Sequence, residues 1–128
     1  MRSSAICFEG IDHVQLAAPS GCEEAGRRFF GELLGLVELA KPADLAARGG
    51  LWFQCGPQQI HIGVDPDFRA AKKAHAALRL SDGTALDALR DVLTEAGIAV
   101  KSDEAKVPGV SRFFVEDPWG NRLELVAH

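Results

Sequence analysis

The sequence HVQLAAPSG, residues 13–21, returns as HAALRLSDG, residues 75–83, and this repeat decides the fold. The two segments share histidine, leucine and glycine at the same three places without a gap. Each segment is typical of a short strand that runs into a turn. Similarity at a fixed interval is the sequence signature of a repeated structural unit. We therefore expect two copies of one module.

A helix is predicted after each turn. Residues 22–34 and residues 84–96 carry apolar side chains at helical spacing. Both segments stop at a glycine, Gly35 or Gly97, which suits the left-handed position that follows a last helical turn. Thr84 is the expected N-cap of the second helix.

Three further strands are predicted beyond each glycine. They cover 36–41, 50–55 and 58–64 in the first half, and 98–102, 110–116 and 121–127 in the second. The fold class is therefore α+β, with two βαβββ modules in one chain. We expect a single domain at 8–128, divided into module one at 10–64, a linker at 65–73 and module two at 74–127. The proline and the charges of the linker favour a solvated connector.

Composition narrows the class of partner. The 128 residues carry a formal net charge of −4, which argues against nucleic acid because phosphate binding needs a concentrated basic face. No apolar stretch is long enough to span a bilayer, and the N-terminus lacks the apolar region of a signal peptide. Three cysteines without CxxC spacing are interpreted as free thiols. We expect a cytoplasmic protein that binds small molecules or another copy of itself.

Four side chains stand out as candidate metal ligands. His13 and His75 open equivalent strands, and His61 lies opposite Glu124 when the last hairpins of the two modules are superposed. Imidazole nitrogen and carboxylate oxygen together suit borderline to hard divalent ions, and such a set leaves positions open for substrate. A lone strand histidine usually has a structural role, hydrogen-bonded in or beside the core. The first strands and the last hairpins of the two modules align on the same four residues, and this agreement favours metal binding. His61 could instead contact one of the metal-ligating side chains or the substrate.

Strand alternation predicts which faces surround this metal. On each of the four strands the candidate ligand shares its face with partly polar neighbours, whereas the opposite face is uniformly apolar and should pack on the helices. The candidates to contact substrate are Gln15, Gln59, Arg79 and Arg122. The basic cluster of Arg69, Lys72 and Lys73 could hold an anionic substrate near His75, or it could merely be solvated.

Three segments resemble the vicinal oxygen chelate superfamily, which includes glyoxalase I, bleomycin-resistance proteins, fosfomycin-resistance proteins and extradiol dioxygenases. They are IDHV at 11–14, FFGELLGL at 29–36 and FVEDPWGNRLEL at 114–125. The most specific is the Asp-Pro-x-Gly-Asn turn followed by x-x-Glu. The resemblance covers residues 10–127.

The resemblance implies a curled mixed sheet around a central metal cleft. It implies that one divalent ion, of iron, manganese, nickel, cobalt or zinc, is bound by His13, His61, His75 and Glu124, with Glu124 available as a catalytic base. Members of this superfamily commonly form homodimers in which the two modules around one site come from different chains. The implied function is an enzyme that acts on a small oxygenated metabolite which chelates the metal.

Several reaction types stay open at this point. Imidazole at position 61 departs from glyoxalase I-like members, which usually have a carboxylate there, so that both a glyoxalase-like lyase or isomerase and a dioxygenase-like enzyme are compatible with the sequence. A metal-free protein that sequesters a small molecule, as bleomycin-resistance members do, is the alternative from another class. A dimeric scaffold with a vestigial metal site is a third.

Overall fold

The computed structural model describes residues 4–102 and 105–128, which contain eight strands and three α-helices. The strands are β1 (His13–Ala18), β2 (Val37–Leu39), β3 (Leu51–Cys55), β4 (Gln58–Val64), β5 (Ala76–Arg79), β6 (Lys101–Ser102), β7 (Ser111–Glu116) and β8 (Arg122–Ala127). The helices are α1 (Glu23–Gly26), α2 (Ala43–Ala46) and α3 (Gly83–Glu95), and α1 continues as a π-helical segment, Arg27–Leu33.

Each half of the chain forms its own four-stranded mixed sheet. The strand order is β1-β4-β3-β2 in the first sheet and β5-β8-β7-β6 in the second. In both sheets the first strand runs parallel to the last, and the other pairs are antiparallel. The predicted α+β class and the repeated module are confirmed, and the two sheets are separate and open.

The register confirms the superposition that the sequence predicts. Gln15 pairs with His61 across β1 and β4, and Ala77 pairs with Glu124 across β5 and β8. Because side chains alternate along a strand, His13 lies on the face of His61, and His75 lies on the face of Glu124. The two modules therefore present equivalent polar faces.

The opposite faces build the hydrophobic core, as expected. Ile60 and Ile62 of β4 and Leu123 and Leu125 of β8 are each at most 3% exposed. They belong to one cluster that draws on both sheets and on the helices. Apolar burial of this kind supplies most of the stabilisation, at about 25 cal/mol for each Å² removed from water. The core thereby fixes which face of each strand is left for a site.

The first predicted helix differs from an α-helix along most of its length. Beyond Gly26 it widens into the π-helical segment, where Leu34 N–H donates to the Phe29 carbonyl at 3.0 Å. The wider turn brings the consecutive side chains of Phe29 and Phe30 onto one buried side, where each is at most 2% exposed. Gly35 follows with φ 76°, as its sequence position predicts.

Three local expectations are wrong. Asp82, not Thr84, is the N-cap of α3, because its carboxylate accepts from Ala85 N–H at 2.8 Å and Thr84 lies inside the helix. Strands β2 and β6 are shorter than predicted. The short helix α2 was not expected and follows Pro42, whose ring suits a helix start.

The connector between β4 and β5 is docked rather than simply solvated. The Asn121 side-chain oxygen accepts from Ala71 N–H at 2.9 Å, and the Lys72 ammonium reaches the carboxylate of Glu116 and the carbonyl of Gly120 at 3.0 and 2.9 Å. The connector thus lies against the turn between β7 and β8. This docking places the start of β5, and with it His75, at a defined position.

The Asp-Pro-x-Gly-Asn turn itself joins the two modules. Asp117 accepts from the Asn121 amide side chain at 2.7 Å, and the same amide donates to the Ala17 carbonyl at 2.8 Å. Trp119 stacks on Phe30 at 6.3 Å, beside Gly26, where an added Cβ would meet the Trp119 ring at 3.3 Å. The strongest sequence motif therefore has an architectural role. No helix in the described ranges is long and apolar enough to cross a membrane.

Candidate metal centre

The second sheet brings His75 and Glu124 into direct contact. His75 Nε2 lies 3.0 Å from Glu124 Oε1, while His75 Nδ1 lies 2.9 Å from the Lys73 carbonyl oxygen. A carbonyl can only accept, so Nδ1 carries a hydrogen, while Nε2 faces the carboxylate oxygen. At this distance the contact is made either by a hydrogen between the two atoms or by a metal ion bound to both.

The spacing suits a metal ion. Two cis ligands with bonds of about 2.1 Å to one ion are separated by roughly 3.0 Å, which is the separation that this pair already has. The carbonyl of Lys73 supplies the outer contact that commonly fixes the tautomer of a ligating histidine. The His75 side chain is 26% exposed and that of Glu124 is 10% exposed, so the pair is sheltered but accessible from one side.

Two further side chains complete the surroundings of this pair. Arg112 Nη1 lies 3.5 Å from the other carboxylate oxygen of Glu124. The Phe114 ring meets the His75 ring edge-on, with centroids 5.7 Å apart. Phe114 and Arg112 lie on β7 on the same face as Glu124, which is next to them on β8.

The first sheet brings His13 and His61 together. Their rings stack with centroids 4.1 Å apart and planes inclined by 16°. His13 Nδ1 lies 2.8 Å from Asp12 Oδ2, a contact that directs the hydrogen to Nδ1 and leaves Nε2 as the donor to a metal. The His13 side chain is 44% exposed and has room to turn.

The His61 side chain is more buried than a side chain that is freely accessible to a metal ion. It is 6% exposed and is stacked between His13 and Trp52, whose ring lies 4.2 Å away. Its Nε2 atom is 2.8 Å from the side-chain oxygen of Gln59. Burial, and next the neighbouring His13, lower the pKa of His61, which keeps the imidazole neutral and therefore able to bind a cation.

The stacked geometry limits how this first pair can act. Nitrogen lone pairs lie in the ring plane, so two nearly parallel rings direct them side by side rather than at one point. For both imidazoles to reach one ion, one ring must rotate, and His13 is the exposed one. Within residues 4–102 and 105–128, no three histidine, cysteine or acidic side chains of the single chain lie close enough to hold a metal. The four candidates therefore form two pairs: the first pair is His13 with His61, and the second pair is His75 with Glu124.

The four predicted substrate contacts have different surroundings. Gln15 is exposed and lies over Gly63, and Arg79 is exposed at the end of β5 on the face of Glu124. Gln59 is engaged with His61. Arg122 covers the Phe114 ring, with its guanidinium carbon 4.2 Å from the centroid. Arg122 therefore lies on the same aromatic ring that the His75 ring contacts.

Some residues of the site were given no role by the sequence. Asp12 and the Lys73 carbonyl orient two histidines, but neither belongs to a periodic pattern. Trp52 and Arg112 could have been found from strand alternation only after the pairing of each hairpin was known, because they face the site from a neighbouring strand. Of the basic cluster in the connector, Lys72 is held by Glu116, and Lys73 contributes its backbone.

The cysteines lie apart from both pairs, and all three are free thiols. Burial, together with the Glu23 carboxylate beside it, raises the pKa of Cys22 to about 11. Burial also raises the pKa of Cys55. Both thiols therefore stay protonated near neutral pH, and neither is an activated nucleophile.

Comparison with known protein families identifies the class of this protein. Residues 10–125 match the Glyoxalase/Bleomycin resistance protein/Dioxygenase superfamily, so the chain belongs to that superfamily. The resemblance seen in the sequence is confirmed. The search of curated proteins gave no match.

Solved structures agree with this assignment. A protein described as a glyoxalase family member from Bacillus anthracis shares 48% identity, with a TM-score of 0.90 over 100% of this chain and 99% of that one. Lactoylglutathione lyase from Agrobacterium tumefaciens has 20% identity and a TM-score of 0.73, with 94% of each chain covered. The fosfomycin resistance protein FosX from Listeria monocytogenes has 15% identity and a TM-score of 0.76, covering 93% of this chain and 91% of that one. The last two show likeness of fold alone.

Proposed function

We propose that this protein is a divalent-metal-dependent enzyme that acts on a small oxygenated metabolite able to chelate the ion. The observation that carries the proposal is the contact between His75 Nε2 and Glu124 Oε1, which lie 3.0 Å apart, the separation expected of two neighbouring ligands of one ion. His13, with Nδ1 held by Asp12, offers a third donor. With His61 as a fourth donor, three imidazole nitrogens and one carboxylate suit iron, manganese, cobalt, nickel or zinc.

Each side chain has a distinct part in the proposed chemistry. The ion, when bound, supplies Lewis acidity toward negative charge that develops on substrate oxygen. His75 and His13 would hold it, each with Nδ1 in contact with a neighbouring oxygen, and His61 would join them if the His13 ring turned out of the stack. Glu124 keeps Oε1 toward His75, and Oε2, which Arg112 Nη1 approaches at 3.5 Å, would be the oxygen that accepts a proton from substrate. Proton transfer at Oε2 supports a lyase or isomerase, and a dioxygenase would need only the ligand set.

We further propose that the site is completed by a second copy of the chain. The pairs of the two sheets are incomplete by themselves, and a twofold axis would bring His13 and His61 of one protomer to His75 and Glu124 of its partner. Such a homodimer would have two equivalent sites. The three free thiols suit the reducing conditions of the cytoplasm, where we place the protein.

A subunit-mixing experiment tests the shared site directly. Two variants are made with different affinity tags. One carries His13→Ala and His61→Ala, and the other carries His75→Ala and Glu124→Ala. Neither homodimer should retain metal. The purified mixed dimer should regain one ion, because one of its two sites then contains all four native side chains. A mixed dimer that stays metal-free while wild type binds two ions would contradict the shared site.

Metal analysis of the wild-type protein tests the enzymatic proposal as a whole. The protein is purified, reconstituted with each of the five metals, and measured by mass spectrometry. We expect one ion for each chain. Absence of stoichiometric metal under every condition would overturn the enzyme proposal and favour a protein that sequesters its ligand.

A further inference from the structure

We propose that a cavity beside the second pair binds an oxyanion, and that the substrate therefore carries a carboxylate or phosphoryl group. The cavity has a volume of about 1020 Å³ and opens along β6, β7 and the start of β8. Its described walls carry three cationic side chains, Lys72, Lys101 and Arg122. This inference names the substrate class of the proposed enzyme and rests on that function.

The cationic charge of this cavity is only partly compensated. Glu116 is the one described carboxylate in its wall, and Lys72 is bound to it at 3.0 Å. The Lys72 ammonium holds the pKa of Glu116 below its usual range, so the two charges cancel near neutral pH. Among the described lining residues, Lys101 and Arg122 are the cations without a carboxylate partner.

Arg122 is the group best placed to recognise an anion. Its guanidinium lies over the Phe114 ring at 4.2 Å, and it has no carboxylate partner among the described residues. The contact with the ring restrains the guanidinium, whose planar fork can bind a carboxylate or phosphoryl group through two parallel hydrogen bonds. Preorganisation of this kind lowers the entropic cost of binding.

The cavity joins the proposed metal centre along one strand. Arg122 precedes Glu124 by two residues on β8, so both side chains point to the same face, with Cα atoms roughly 7 Å apart. Phe114 lines the cavity and also contacts the His75 ring. A substrate that reaches the ion with its chelating oxygens could therefore place an anionic group, roughly 7 Å away, on Arg122.

Binding of simple anions tests this site without knowledge of the substrate. The probes are acetate and inorganic phosphate, with uncharged acetamide as the control, and binding is followed by NMR shifts of the amides in 98–102 and 113–116. Arg122→Gln should weaken anion binding roughly tenfold, because it removes a charge-assisted pair of hydrogen bonds. Arg122→Lys keeps the charge and should recover part of the affinity. The anion that binds more tightly, acetate or phosphate, indicates whether the anionic group of the substrate is a carboxylate or a phosphoryl group.

Arg90→Gln is the matched control variant. Arg90 also covers a phenylalanine, Phe113, at 4.9 Å, but that ring belongs to the buried face of β7. This variant should bind anions as wild type does. Equal anion binding in Arg122→Gln and wild type, equal loss in both variants, or equal binding of acetamide would each overturn the proposal.

Metal content is measured on every sample, so that the two proposals fail separately. If wild type holds no metal but binds anions through Arg122, the enzyme proposal fails and the anion site stands. If metal is bound and Arg122→Gln leaves anion binding unchanged, the anion site fails and the metal site stands. Each titration is repeated on metal-free protein, which excludes direct binding of the anion to the ion.

Discussion

The side-chain amide of Asn121 donates to the carbonyl oxygen of Ala17 at 2.8 Å, and this hydrogen bond connects the last hairpin of the second module to the first strand of the first. Asn121 is 2% exposed, and its oxygen also holds the connector through Ala71 N–H. One side chain thus links β1, the connector and the turn before β8. Together with the shared core, it helps to hold the two modules in their relative position.

Asn121→Ala should lower the free energy of unfolding by about 3 kcal/mol, because buried partners of the amide lose their hydrogen bonds without access to water. Urea denaturation followed by circular dichroism measures this loss. Gln58→Ala, which removes an exposed amide at the start of β4, should change stability by less than about 0.5 kcal/mol. Equal effects in the two variants would show that the turn does not secure the modules.

Removal of Glu124 should abolish metal binding with little effect on the fold. Loss of a residue that only contacts a metal ligand lowers metal affinity roughly 10- to 100-fold. We expect Glu124→Gln, which removes a ligand itself, to lower it by more. The amide keeps the size of the side chain but loses the charge that the ion requires. Metal titration with a competing chelator measures the affinity. His128→Ala removes a histidine outside the two pairs and should bind as wild type does; an unchanged affinity in Glu124→Gln would reject the ligand assignment.

Trp52 should report on metal binding by the first pair. Its ring lies parallel to the His61 ring, with centroids 4.2 Å apart, so a paramagnetic ion such as Co²⁺ or Mn²⁺ held by His61 or His13 should quench its fluorescence. The quenching should disappear in Trp52→Phe and persist in Trp119→Phe, since Trp119 stacks on Phe30 at the turn. Persistence of the full response in Trp52→Phe would show that the ion binds elsewhere.

Glu23 should make stability depend on pH. The Gly50 N–H, which donates to its carboxylate at 2.8 Å, lowers the pKa of Glu23 from its ordinary value of 4.5. A lowered pKa means that the stabilisation is present above the unfolded-state value and is lost as pH falls through the folded-state value. Glu23→Gln should therefore cost about 1 kcal/mol at pH 7, after allowance for solvent screening, and progressively less as the pH falls below 4.5.

The matched control for this prediction is Glu24→Gln, in which the neighbouring exposed carboxylate of α1 is removed. Unfolding in urea is measured for wild type and both variants across the same range of pH. A cost of Glu23→Gln that does not change between pH 7 and pH 3 would contradict the role of the charge.

Much of the architecture was determined by the sequence alone, because its signals are local. Strand alternation placed His13, His61, His75 and Glu124 on the polar faces, and Gly35 and Gly97 marked the ends of the helices, where both adopt a positive φ. Local patterns gave a wrong prediction where two neighbouring side chains could each cap the same helix, as at the N-terminus of α3. Asp82 and Thr84 are both capping residue types, and only the backbone geometry distinguishes them.

Contacts between distant parts of the chain were decided only by the tertiary structure. His75 and Glu124 are 49 residues apart, and their separation depends on the parallel pairing of β5 with β8 and on the docking of the connector. The enclosure of His61 by Trp52 likewise requires the register of β3 against β4. Strand periodicity fixes the face on which a side chain lies, whereas the distance between two side chains depends on how whole sheets pack. For that reason the sequence predicted four ligands, and the structure resolved them into two pairs.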